Sequence, residues 1–258
     1  MGVRHAQIVV AIVGLSLMMD TGAQGTLTLS TGYDYSTGKY GDRVATTIRY
    51  VPTYIKYETG PWTAKLTVPY LNMTGPANVI GGGDNTVVTS TGSTQRRTAA
   101  KLGDVLAAVS YEALNDDATE LMIDVVGRVK LPTANAKQGL GTGKTDYALQ
   151  VDALKAVGVL SLFGTVGYSV LGSSPTLSLN NVWFASAGGA YRVLPTTTAG
   201  LLYSYRQPAS ASGFMQSDLT SYISQKLGDR WRLQFYGVVG FAKGSPDWGA
   251  GTSISILF

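Results

Sequence analysis

The chain has 258 residues, a formal net charge of +4, only 14% charged residues, one histidine and no cysteine. The charged fraction is far below the ~25% of an ordinary soluble domain, and the lack of a lysine or arginine run argues against a nucleic-acid partner. Because the one histidine is His5, the rest of the chain lacks the commonest general base and the most reactive nucleophile. We therefore expect no enzyme, no cofactor and no metal site.

The first 23 residues have the pattern of a cleaved secretory signal peptide. Arg4 and His5 give a basic start, residues 6–19 are largely apolar, and 21–23 are small residues at the expected cleavage spacing. The alternative is a membrane anchor, which is disfavoured because the apolar stretch is shorter than the ~20 residues of a spanning helix. We expect residues 24–258 to form one domain.

Nearly everything after residue 25 alternates between apolar and polar residues with period two. The last segment shows this best, with one face made of Ala250, Thr252, Ile254, Ile256 and Phe258 and the other of Gly251, Ser253, Ser255 and Leu257. The alternation is typical of an antiparallel sandwich or of a membrane barrel. Twelve strand candidates can be counted, and no apolar run is long enough for a spanning helix.

The lengths of the links between strands decide between the two folds. Short links lie near residues 59–61, 115–117, 157–158, 195–196 and 228–229, and long ones near 36–43, 74–101, 132–143, 172–180, 207–213 and 243–247. Tight periplasmic turns alternating with longer extracellular loops are typical of bacterial outer-membrane proteins. We predict an all-β fold, a single transmembrane antiparallel β-barrel of twelve strands in the bacterial outer membrane, with lipid as its partner.

Aromatic residues and prolines mark particular places in this barrel. Trp62 and Trp231 follow short turns and Trp183 and Trp248 follow long loops, so all four are expected in the interfacial girdles. The terminal Phe258 resembles the signature that the barrel-insertion machinery reads in bacterial outer-membrane proteins. Two prolines, Pro52 and Pro69, are awkward because they fall deep inside strand candidates.

The loop at 74–101 is long and rich in glycine, threonine, serine and asparagine. It either stays outside or folds into the bore, where Arg96 and Arg97 would be constriction residues. A second stretch, 141–145, looks like the end of a phosphate-binding loop, but it lacks the upstream glycine and the following helix that the motif requires. We interpret its glycines as loop-forming residues at the barrel rim.

The bore is predicted to carry charges of both signs. The pore-lining residues expected from the alternation are Asp34, Arg49, Lys65, Asp104, Glu112, Asp124, Arg128, Lys130, Asp146, Asp152, Arg192, Arg206, Asp218, Lys226 and Arg232. Such charges either face each other across a wetted channel or form ion pairs that fill the lumen as a plug. Twelve strands enclose more space than the roughly eight that side chains can fill, which favours a narrow channel.

Two stretches resemble a known family. Residues 129–133 (VKLPT) and, after a short insert, 139–147 (GLGTGKTDY) are similar to a signature of the outer-membrane channel family associated with the meta-cleavage pathway of phenol degradation. The resemblance implies a monomeric twelve-stranded channel that passes small hydrophobic or aromatic compounds.

The sequence thus predicts an outer-membrane channel for the passive diffusion of small molecules, with aromatic or hydrophobic compounds and related acids as its expected solutes. Two other functions stay open. One is a non-conducting structural or adhesive barrel with an ion-paired lumen. The other is a sugar-acid porin, for which a strongly basic bore is expected instead of balanced charges.

Overall fold

The computed structural model describes residues 25–83, 86–89, 94–175 and 177–258. The signal peptide expected at 1–23 lies outside them. The described residues form fifteen strands: β1 (Thr26–Gly38), β2 (Thr46–Thr59), β3 (Trp62–Gly75), β4 (Val79–Ile80), β5 (Val87–Val88), β6 (Arg97–Leu102), β7 (Val105–Asp116), β8 (Leu121–Leu131), β9 (Asp146–Val157), β10 (Leu160–Val170), β11 (Val182–Leu194), β12 (Thr197–Arg206), β13 (Gln216–Leu227), β14 (Trp231–Gly240) and β15 (Trp248–Leu257). Across these residues, no helix is long and apolar enough to span a membrane.

Thirteen of these strands form the wall of a closed antiparallel barrel. β6 and β7 pair with β3 at different heights and make one wall strand that is interrupted at 103–104. Each later strand pairs with the next, and β15 returns to pair with β1. Counted around the wall, the described residues give twelve strands, so the predicted all-β twelve-stranded barrel is confirmed. Closure leaves no sheet edge, which is the condition for a sheet to stand in lipid.

The outer surface of the wall is apolar. On β9, for example, Tyr147, Leu149 and Val151 are exposed, whereas the alternate residues between them face inward. A barrel with this outward apolar surface belongs in lipid, and the fold places the protein in the bacterial outer membrane. The tryptophans Trp62, Trp183, Trp231 and Trp248 are all about half exposed on this surface near strand ends, as predicted for girdles.

The two ends of the barrel differ. One end has tight turns in which Gly60, Gly158 and Gly228 have positive φ angles, a conformation that glycine adopts without strain. The other end carries the long loops, and the small β4–β5 hairpin packs there against inward-facing wall residues such as Ile48 and Leu71. The predicted alternation of short and long links is therefore confirmed, and we refer to the short-turn end as the inner end and the loop end as the outer end.

Candidate functional site

Most of the expected pore-lining residues lie on the inward face of the wall. These are Asp34, Lys65, Asp104, Glu112, Asp124, Arg128, Lys130, Asp146, Asp152, Arg192, Arg206, Asp218, Lys226 and Arg232, although Arg192 is exposed because it lies at the inner rim. Alternation with period two thus places these side chains inside the barrel.

The assignment of Arg49 to the bore is corrected by the structure. Arg49 is exposed on the outward face, opposite Tyr35 on β1, and its guanidinium lies 5.9 Å from the centre of the Tyr35 ring. The residue is close to the outer end of β2, where the surrounding medium is headgroup and not hydrocarbon. A charge there is tolerated on the outer surface, so it gives no information about the lumen.

Two interior charges were missed by the sequence reasoning. Lys56 Nζ lies 2.7 Å from Glu58 Oε2, and both side chains are largely buried near the inner end of β2. Both residues have even numbers in β2, so they lie on the same face of the strand as Tyr54. Lys65 Nζ lies 4.0 Å from the centre of the Tyr54 ring. The alternation along β2 could have identified them, because the even-numbered residues of this strand face inward.

An acidic arc runs across three neighbouring strands. Glu112, Asp124 and Asp152 are directly opposite one another in the registers of β7, β8 and β9. Asp152 accepts hydrogen bonds from Gln150 Nε2 (2.8 Å) and Thr165 Oγ1 (2.7 Å). Within the described part of the chain, Asp124 Oδ1 and Glu112 Oε2 are buried without a hydrogen-bond partner. Such an arrangement concentrates negative potential on one side of the lumen.

A basic arc lies on the opposite side. Lys226 and Arg232 are directly opposite each other on β13 and β14, and Arg192 on β11 is close to Lys226. The acidic strand β8 and the basic strand β14 are six wall strands apart in either direction, so they face each other across the barrel. The two arcs together create a transverse electric field in the inner half of the lumen.

Lys130 belongs to a different kind of cluster. Its Nζ lies 2.7 Å from Asp146 Oδ2 and 3.3 Å from Asp104 Oδ2, and it donates a 2.7 Å hydrogen bond to Thr142 Oγ1. The second oxygen of Asp104 accepts from the Ala134 backbone N–H at 2.9 Å. Lys130 therefore ties the loop at 132–145 to the wall. The stretch that looked like a phosphate-binding loop is this tied loop, and it leads into strand β9, not into a helix.

The outer half of the lumen contains a cavity of about 270 Å³. Charged side chains of both signs line it, namely Asp34, Arg128, Arg206 and Asp218. Aromatic side chains line it as well, including Tyr50, Phe184 and Tyr236. The Arg128 guanidinium lies 5.1 Å from the centre of the Phe184 ring, and Tyr236 donates a hydrogen bond to Asp34. The cavity thus offers ring surfaces and fixed charges side by side.

The β4–β5 hairpin covers this cavity. The backbone oxygen of Thr86 accepts hydrogen bonds from Arg206 Nη1 (3.1 Å) and Gln216 Nε2 (3.2 Å), which belong to the far wall. Asn78 fixes the near side, where its Oδ1 accepts from Thr46 Oγ1 at 2.9 Å. Val79, Val87 and Val88 are almost fully buried. Part of the long loop at 74–101 therefore folds over the bore.

The expected constriction residues do not lie in that covering segment. Arg96 and Arg97 are exposed where the loop returns to the wall, and Arg97 begins β6. The segment that enters the bore is the apolar hairpin, because burying valines against the wall is favourable whereas burying two unpaired guanidinium groups is not. The covering segment is thus the hairpin of β4 and β5, with Arg206 as its charged contact.

Below the cavity, the inner half of the lumen is packed. Met122, Leu154, Phe163, Leu202 and Tyr222 form an apolar cluster on the inward faces of β8, β9, β10, β12 and β13. Over the described residues, no group of three metal-ligating side chains comes together. The lumen therefore has an outer chamber beneath the hairpin and a packed inner part, where the two charged arcs lie.

Comparison with known proteins identifies the fold. No protein-family model and no curated protein matches the chain. Among solved structures it is similar to the NanC porin (TM-score 0.58, 11% identity, 89% of this chain and 98% of that one) and to the KdgM porin (0.55, 10%, 88% and 98%). It is also similar to the β domain of the Bordetella autotransporter BrkA (0.51, 11%, 92% and 100%). At these identities the likeness shows a shared outer-membrane barrel fold.

Proposed function

We propose that the protein is an outer-membrane channel for the passive diffusion of small molecules. The observation that carries this proposal is the cavity of about 270 Å³ in the outer half of the lumen. A wall of twelve strands encloses more space than its side chains fill, and the remaining space lies among charged and aromatic groups. The described residues that line the chamber include no histidine, so we favour transport over catalysis as the explanation of the chamber.

The solutes that fit best are small aromatic compounds and their acids. A cavity of about 150 Å³ holds benzene, so the chamber has room for one substituted ring. Phe184 and Tyr236 offer ring faces, and Arg128 and Arg206 offer guanidinium groups that bind carboxylates well. The resemblance of 129–133 and 139–147 to the meta-cleavage channel family supports the same class of solute.

The test is conductance of the purified protein in planar lipid bilayers, followed by uptake into liposomes. We expect small single-channel steps in KCl and faster uptake of benzoate than of glucose or glycine. A protein that inserts as a folded barrel but gives no steps, with or without benzoate, would show that the lumen is closed. We also predict a monomer, which the mass of the purified protein in detergent tests. Insertion by the barrel machinery is a further prediction, which assembly in cells tests.

A sugar-acid channel is a second candidate because of the basic arc. Lys226 and Arg232 line one side of the inner part, where a dissolved anion would pass. The acidic arc on the other side opposes a purely anionic preference, which is why we place this candidate second. Uptake of galacturonate and benzoate by the same liposomes separates the two, since a sugar-acid channel favours galacturonate.

A structural barrel with a filled lumen is the third candidate. The packed inner half favours it, because buried side chains such as Phe163 and Arg232 leave little space there. Neutralising Arg128 and Arg232 separates channel from plug. In a channel the change alters conductance or ion preference. In a plug it lowers the free energy of unfolding and alters nothing else.

A further inference from the structure

We propose that the outward surface of the wall carries a binding site for the phosphorylated headgroup of lipopolysaccharide, the lipid of the outer leaflet. The site lies at the outer end of β1, β2, β3 and β6, and Arg49 is its centre. It is independent of the channel, because its strand residues face away from the lumen. It gives a role to the cation that β2 presents to the lipid side.

Arg49 carries a charge that no neighbouring carboxylate neutralises. It is exposed on the outward face of β2, and its guanidinium contacts the ring of Tyr35 at 5.9 Å. Among the described residues, no carboxylate lies within ion-pair distance of it. A ring face attracts an exposed cation only weakly, whereas a charge beside hydrocarbon needs a counterion. The anion that fits here therefore comes from the membrane.

Asn72 adds a side-chain amide to the same surface. It lies directly opposite Arg49 in the register of β2 and β3. It alternates in step with the exposed Tyr70, so it faces outward. Within the described part of the chain, its Oδ1 is buried and has no hydrogen-bond partner. An amide on the lipid side is costly unless its groups are hydrogen-bonded, and a sugar phosphate offers both donors and acceptors.

A row of threonine hydroxyls runs across the four strands on the outer side of Arg49. Thr37 and Thr47 have their Oγ1 atoms 3.4 Å apart, and Thr74 and Thr98 have theirs 3.0 Å apart. Thr47 is also directly opposite Thr74, so the row keeps one height from β1 to β6. A hydroxyl group both donates and accepts hydrogen bonds, which suits a sugar and its phosphates.

The site lies at the height where lipid headgroups begin. Trp248 of the girdle is directly opposite Thr37, and its ring centre is 5.3 Å from that of Tyr35. Arg49 is the fourth residue of β2, so about 10 Å of strand separates it from the outer end. Arg96 is exposed directly before β6 and brings a second cation to the outer side of the hydroxyl row. A phosphate at the girdle is thus close to guanidinium groups on both sides of the row.

The chemistry of the site favours one lipid. An arginine fork binds phosphate through two parallel hydrogen bonds. A glycerophospholipid brings a phosphate diester, whereas lipid A brings phosphates on a disaccharide, whose own polar groups can bind the threonine row. On the other side of the barrel, the outer-end side chains Tyr147, Val170 and Val239 are exposed and suit acyl chains. The lipid A headgroup is therefore the expected occupant of the site.

The test is binding of bisphosphorylated lipid A to the folded protein in detergent, measured by native mass spectrometry and by the rise in Tm. We expect R49Q to weaken binding about tenfold, because charge-assisted hydrogen bonds are lost. R49K keeps the charge without the fork and should lie between R49Q and the wild type. K155Q is the matched control, since Lys155 is also on the lipid side but near the inner end of β9, where it donates to the Thr119 backbone oxygen. It should bind lipid A as the wild type does.

Two further probes separate the possible sources of phosphate. Phosphatidylglycerol that binds as tightly as lipid A would mean a general anionic-lipid surface, and inorganic phosphate that raises the Tm equally would mean a site for the free ion. Either result overturns the lipopolysaccharide site. Lipid A that fails to bind the wild type, or that binds folded R49Q with wild-type affinity, overturns it as well. Equal weakening in R49Q and K155Q also does so, because the charge of the whole surface would then cause the binding.

Discussion

Lys130 is the residue whose replacement should lower the free energy of unfolding most. Its ammonium group is buried between Asp104 and Asp146, and removing it leaves two buried carboxylates without their cation. Breaking a buried ion pair from one side costs about 3–5 kcal/mol. We expect K130M to lower the free energy of unfolding by about that amount, measured by urea titration in lipid. K137M, at an exposed position of the same loop, should match the wild type; equal midpoints for the two variants would contradict the role of Lys130 as a tie.

Tyr40 should make the stability of the barrel sensitive to alkaline pH. It lies in the loop between β1 and β2, and burial raises the pKa of its phenol from 10.0 to about 12. The unfolded chain therefore ionises first, and stability is lost as pH rises from about 10 to about 12, by roughly 2–3 kcal/mol. Urea titrations at pH 9 and pH 12 should show a smaller loss for Y40F than for the wild type. An identical loss would mean that other groups cause the alkaline effect.

The hairpin of β4 and β5 is the element that should control access to the chamber. Two hydrogen bonds from Arg206 and Gln216 to Thr86 hold it, each contributing about 1 kcal/mol. The R206K/Q216A variant keeps the net charge but loses the forked donor and the amide. We expect larger and more variable single-channel steps, with the open state favoured by roughly tenfold.

The control for the hairpin is R96K, since Arg96 is exposed and takes no part in the two hydrogen bonds to Thr86. Steps of wild-type size in R206K/Q216A would show that the hairpin does not limit conductance. Larger steps in both variants would point to a general loosening of the loop and not to the two hydrogen bonds.

The elements also show which parts of the structure the sequence could predict. The number of strands and the interior charges such as Asp124 and Arg232 could be predicted from the alternation of apolar and polar residues. In the middle of the wall, every residue faces either apolar lipid or the polar lumen, so the alternation is clear there. Arg49 was misplaced because that contrast disappears near the rim. The hairpin could not be predicted, since its valines are buried in clusters with residues that are distant in sequence. Val88 lies in one cluster with Leu140, and Val87 lies in another with Leu171 and Leu179.

At the scale of the whole molecule, the two charged arcs should set ion preference from opposite sides. A unit charge about 10 Å away in water changes the energy of an ion by about 0.4 kcal/mol, which is about twofold in its local concentration. We expect D124N to shift permeability toward anions and R232Q to shift it toward cations, each by about twofold, as measured by reversal potentials across a KCl gradient. D229N changes an exposed charge in an inner turn and should give the wild-type value. Reversal potentials that shift in the same direction for D124N and R232Q would mean that the arcs act by blocking the lumen. A lower free energy of unfolding with an unchanged reversal potential would favour the plug over the channel.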